Sequence, residues 1–87
     1  MTLNQVEKLF KKLDIKYCRR EMAISYSVIA DCMVGVIQRD KELFFKIATP
    51  KITVILYKFT SIEHDEENLY FCMNDAKLTV KIPKQGE

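Results

Sequence analysis

The stretch that decides the fold is Glu42-Leu43-Phe44-Phe45-Lys46-Ile47-Ala48-Thr49-Pro50-Lys51-Ile52-Thr53-Val54-Ile55-Leu56-Tyr57-Lys58-Phe59. Leu43, Phe45 and Ile47 recur at every second position, the period of a strand, over residues 42–48. Thr49-Pro50-Lys51 ends that strand, because proline has no N–H to donate to a central ladder. Residues 52–59 predict a second strand, with Ile52, Val54 and Leu56 alternating against Thr53, Ile55, Tyr57 and Phe59. Apolar residues on both of its faces mark it as central and covered. So short a connection between two strands makes the pair antiparallel.

Towards the C-terminus, residues 61–67 read as a charged loop. Residues 68–73 and 77–82 then form a hairpin across Asn74-Asp75-Ala76. Leu78, Val80 and Ile82 face inward in its last strand, and Lys77, Thr79 and Lys81 face outward, lysines that discourage edge-to-edge pairing. Residues 83–87 are a polar tail.

Towards the N-terminus, Thr2 followed by Gln5 is the signature of a capping box. Leu3, Val6, Phe10 and Leu13 repeat at three- and four-residue spacing, so residues 3–13 predict an amphipathic helix. Ile15 and Tyr17 belong to a short extended segment or a loop. Residues 22–38 admit more than one reading. Ile24, Tyr26, Val28, Ala30, Cys32, Val34 and Val36 alternate as in a strand, while Met22, Ile29, Met33 and Val36 also keep a helical spacing. β-branched and aromatic content favours a strand over about 24–37, with Gly35 as a bulge, a bend or a break into two shorter strands. Polar Gln38-Arg39-Asp40-Lys41 turns the chain into the strand at 42–48. The expectation is an α+β protein of one domain over residues 1–87, an N-terminal helix packed on an antiparallel meander of four or five strands.

Composition agrees with a folded domain: 87 residues are 48% hydrophobic and 30% charged, with a net charge of +2. A disordered chain is apolar-poor and highly charged. No apolar run reaches the roughly 18 residues of a membrane span, and the first residues do not read as a secretory signal. Cys18, Cys32 and Cys72 are odd in number and form no close pair, which predicts free thiols in a reducing, cytoplasmic setting. A closed zinc site wants four ligands, and His64 is the lone histidine, so no metal is expected.

Motifs of catalysis are missing: the chain has no GxSxG, P-loop, GxGxxG or HExxH. His64 lies among carboxylates in Glu63-His64-Asp65-Glu66-Glu67, a run that reads as a solvated loop rather than as an acid–base pair or a cation loop. Neither catalysis nor a cofactor is expected.

Two surfaces remain. Lys8, Lys11, Lys12, Lys16, Arg19 and Arg20 place six positive charges in thirteen residues with Asp14 as the lone opposing charge, a segment able to attract phosphates or an acidic protein. The sheet supplies the other. A helix of about 16 Å cannot cover both faces of a sheet about 20 Å wide. With Leu43, Phe45, Val54 and Leu56 under the helix, the opposite face would carry Phe44, Lys46, Ile55, Tyr57, Phe59 and Tyr70. Burying such a patch predicts a larger protein partner or a homodimer, unless the sheet closes into a barrel whose interior these residues fill. The preferred reading is therefore a small non-catalytic regulatory or inhibitor-type binding protein. By composition it is analogous to the accessory inhibitors of viruses and mobile elements. The alternative is an RNA- or single-strand-binding module that combines the basic segment with Tyr57 and Tyr70.

Overall fold

The computed structural model describes residues 1–29, 32–51 and 54–83, the side chains of Ile29 and Ile55 excepted. Ala30 and Asp31 of the expected strand 24–37, Ile52 and Thr53 of the expected strand 52–59, and tail residues 84–87 lie outside the described residues.

Helix α1 (Leu3–Lys12) begins at a complete capping box. The Gln5 backbone N–H donates to Thr2 Oγ1 at 3.2 Å, and the Thr2 N–H donates to Gln5 Oε1 at 2.7 Å. At its far end the Ile15 N–H reaches the Phe10 carbonyl and the Asp14 N–H the Lys11 carbonyl, the two bonds of a Schellman motif. Asp14 therefore sits in the left-handed region, at φ 58°. Glycine suits that position better, and a carboxylate at a helix C-terminus opposes the dipole. Asp14→Gly is expected to raise stability by about 1 kcal/mol, read as a higher urea midpoint at unchanged slope.

Eight strands follow among the described residues: β1 (Cys18–Arg20), β2 (Ala23–Ile29), β3 (Cys32–Arg39), β4 (Glu42–Ala48), β5 (Ile55–Phe59), β6 (Ser61–His64), β7 (Asn68–Cys72) and β8 (Lys77–Lys81). They form two antiparallel sheets rather than one, in the orders β1-β2-β3-β4-β5 and β6-β7-β8. The α+β class and the antiparallel meander hold, while the single sheet of four or five strands does not. Phe59 and Ile62 are both buried, on either side of Thr60, whose N–H bonds to the Cys72 carbonyl. At that corner the second sheet folds over the inner face of the first.

Three local expectations are corrected. The expected strand 24–37 is a hairpin of β2 on β3, and Gly35 lies within β3 opposite Ser25 and Lys46. Residues 61–64 of the expected charged loop form β6, because Ile62 is buried opposite Phe71. The third correction concerns the inward and outward faces of β5. Leu43 pairs with Phe59, and Phe45 with Tyr57, so odd-numbered residues of β5 share the inner face with Leu43 and Phe45. Val54 and Leu56, expected inside, are exposed, and Phe59, expected outside, is 3% exposed. The strand expected to be central and covered is an edge strand, paired with β4 alone among the described residues. A shift of one residue in register exchanges the two faces of a strand, and apolar residues on both faces of 52–59 hid which was which.

One core joins helix and sheets on the inner side. Phe10 of α1 meets the Tyr26 ring of β2 edge-on, at 5.2 Å between centroids. Phe71 of β7 touches Phe45 of β4 at 4.7 Å and Phe59 of β5 at 5.1 Å. Helix and second sheet thus share the inner face of the five-stranded sheet.

Candidate protein-binding face

The outer face of the five-stranded sheet follows from one turn. Asp40 and Lys41 both have positive φ, 49° and 69°, as a two-residue type I′ hairpin requires, and they close the pair Arg39–Glu42. Counting inward from that pair places Ile37 opposite Phe44, Gly35 opposite Lys46, and Met33 opposite Ala48. Across the next ladder Phe44 faces Lys58 and Lys46 faces Leu56. Ile37, Phe44 and Lys46 are half-buried, while Met33 and Leu56 are exposed.

Gly35 lets the Lys46 stem lie flat on the sheet. A Cβ at Gly35 would stand 3.2 Å from both Cγ and Cε of Lys46. The lysine methylenes thereby join the apolar row, as long cationic side chains do when the charged end stays in water. Lys58 Nζ is bound to Glu42 Oε1 at 2.7 Å at the margin of this face, and Ser27 Oγ donates to Met33 Sδ at 3.1 Å. No helix or strand among the described residues lies over it.

Of the six residues expected on one partner-binding face, the structure keeps Phe44 and Lys46 together and separates the rest. Tyr57 and Phe59 belong to the inner side, Phe59 within the core and Tyr57 exposed at the sheet margin. Ile55 pairs with Ile47, and its side chain lies outside the described ones. Tyr70 stands on the outer face of the second sheet, between Glu63 and Thr79. Sequence reasoning missed Ile37, Met33 and Leu56. The turn at Asp40-Lys41 could have found Ile37, since a two-residue hairpin pairs residues 37 and 44; Leu56 had no such marker.

Tyr70 is committed locally. Its hydroxyl donates to the Asp65 carboxylate, which also accepts the backbone N–H groups of Glu67 and Asn68 at 2.8 Å each. These bonds, the phenol's first, hold the Asp65 carboxyl below its ordinary range, and the same hydrogen bond pushes the Tyr70 phenol up. Lys77 beside it binds Glu63 at 2.9 Å, lowering the Glu63 carboxyl and raising the lysine. The acidic run is thus a turn built around Asp65, and the field it sets around Tyr70 repels phosphates.

The basic segment is divided too. Lys8, Lys11, Lys12, Lys16 and Arg20 are exposed and form no ion pair among the described residues. Arg19 reaches Glu7 at 3.5 Å and donates from Nε to the Arg20 carbonyl at 2.8 Å. Glu7 also accepts from the Tyr17 hydroxyl at 3.0 Å, so Arg19 helps to tie β1 to α1. Cys18, Cys32 and Cys72 are free thiols. No three of His, Cys, Asp and Glu converge as metal ligands among the described residues. No described helix is long and apolar enough to cross a membrane.

Fold and face together define an α+β protein with one apolar core and a bare outer sheet face. Comparison with family models, with curated proteins and with solved structures finds no match.

Proposed function

We propose that this chain is a small non-catalytic binding protein, regulatory or inhibitory in action, that works by contact between proteins. The observation that carries this reading is the outer patch of Ile37, Phe44, Met33 and Leu56, with the Lys46 stem lying across its middle and the Lys58–Glu42 pair at its margin, covered by no described element. An aromatic anchor amid aliphatic side chains, rimmed by charge, has the anatomy of a protein-recognition patch. Phe44→Glu is expected to weaken partner capture about thirtyfold, equivalent to about 2 kcal/mol, while the melting temperature stays close to wild type. Glu66→Lys, on the acidic turn, should leave capture unchanged. Capture of the same partner at wild-type strength by Phe44→Glu would overturn the proposal.

The five unpaired cations support a second reading, nucleic-acid binding by Lys8, Lys11, Lys12, Lys16 and Arg20 along α1 and the segment after it. Its signature in the same experiment is co-purifying RNA that is shed as salt rises and that Phe44→Glu does not affect.

A further inference from the structure

Edges of the two sheets differ in a way that singles out one of them. β5 pairs with β4 on one side and with no other strand among the described residues. Around it lie three exposed apolar side chains within four residues: Val54 at 45%, Leu56 at 39% and Tyr57 at 48% exposure. The other edges are polar: Arg20 on β1 and Lys81 on β8 are unmatched charges among the described residues, β6 ends in Glu63 and His64, and none of the three carries an exposed large apolar side chain. The one charge of β5, on Lys58, is matched within its own chain by Glu42. An edge without a proline, a bulge or an unmatched charge invites another strand.

The free hydrogen-bonding groups on that edge can be located. In a two-residue hairpin the closing pair, Arg39–Glu42, exchanges both backbone bonds. Alternation along an antiparallel ladder then turns Leu43, Phe45 and Ile47 towards β5, and Ile55, Tyr57 and Phe59 towards β4. The N–H and C=O groups of Leu56 and Lys58 consequently point away from β4.

We infer that β5 pairs antiparallel with β5 of a second copy of this chain, across a two-fold axis passing through Tyr57. In that register each Leu56 exchanges two backbone bonds with Lys58 of the other copy, four bonds in all. The two Tyr57 rings meet at the closely spaced, non-hydrogen-bonded position, where aromatic cross-strand pairs are favourable. The contact is isologous, so it closes as a dimer and leaves no further β5 edge for growth. Two paired strands of five residues bury less than the roughly 1,200 Å² of a standard interface, so the dimer is reversible and dependent on concentration. This pairing uses the strand edge and does not rest on the outer face being a binding surface.

Sedimentation equilibrium from micromolar to millimolar concentration tests it. Wild-type protein is expected to pass from monomer to dimer. Tyr57→Lys sets like charges opposite each other and should weaken the dimer about tenfold or more. An equimolar mixture of Tyr57→Lys with Tyr57→Glu should recover it as a heterodimer, a rescue that a folding defect would not show. Leu56→Pro removes an outward N–H without touching the β4 ladder and should also yield monomer. Phe44→Glu should leave the dimer intact, so that failure of the outer-face reading and failure of this one are told apart. A wild-type chain that stays monomeric at millimolar concentration would overturn the inference. So would a dimer that Phe44→Glu dissolves while Tyr57→Lys leaves it unchanged.

Discussion

Phe71→Ala is expected to destabilise the fold by about 4 kcal/mol, the largest effect of any single substitution considered for this chain. Phe71 is fully buried, and its ring touches Phe45 and Phe59, one from each of the last two strands of the other sheet. Truncation removes a phenyl group from water-free surroundings and leaves a cavity where the two sheets meet. For a domain of this size the melting temperature should fall by about 20 °C. Chemical denaturation of wild type, Phe71→Ala and Tyr70→Ala checks the argument. Tyr70 points away from the core on the same strand, so its truncation should cost much less. A loss below about 1 kcal/mol for Phe71→Ala would mean that the second sheet does not pack on the first through this ring. A double-mutant cycle between Phe45→Leu and Phe71→Leu should give a coupling of about 1 kcal/mol.

Tyr26→Phe should act in the opposite direction. Tyr26 is 2% exposed and packs edge-on against Phe10, yet its hydroxyl is buried with no hydrogen-bond partner among the described residues. Leaving a buried hydroxyl unpaired costs roughly 1–3 kcal/mol relative to hydrating it in the unfolded chain. Removing the oxygen keeps the ring and its packing, so a gain of about 2 kcal/mol is expected in urea unfolding. A loss of stability would show instead that the hydroxyl is hydrogen-bonded in solution.

The same residue shapes the alkaline limb of stability. Burial first, and the nearby Cys32 thiol second, raise the Tyr26 phenol above its ordinary 10.0. A folded-state pKa above the unfolded one means that the unfolded chain loses this proton first as pH rises. The contribution of Tyr26 is therefore complete below pH 10 and declines above it, by up to about 1.4 kcal/mol per pH unit. Tyr26→Phe should remove that component of the slope, leaving a measurably flatter decline.

The basic segment and the outer face illustrate how differently two candidate surfaces are written in a sequence. Lys8, Lys11 and Lys12 lie on a helix whose caps and apolar spacing fix its solvent side, so their exposure follows from local rules. The partners of Arg19 do not follow from local rules: Glu7 is twelve residues away and meets it only because β1 returns beside α1. In the acidic run, Asp65 is a turn-former because Glu67 and Asn68 follow it at Asx-turn spacing, a local device hidden by the surrounding charge.

By itself the sequence determined the helix with its capping box, the inward set Leu43, Phe45, Leu78 and Val80, and the α+β class. Each rests on a period or a cap confined to a few neighbouring residues. Tertiary structure alone decided the division into two sheets, the β2–β3 hairpin, and which side of β5 faces inward. The alternation of Ile24 through Val36 does not mark where the chain turns back, and residues 52–59 are apolar at both even and odd positions, so alternation carries no sign there. The facing of β5 is set instead by its ladder to β4, Leu43 to Phe59, and by the corner at Thr60. Burial of Phe59 against Phe71 then selects one register over its neighbour, because a slip by one residue would exchange that ring for Lys58 in the core.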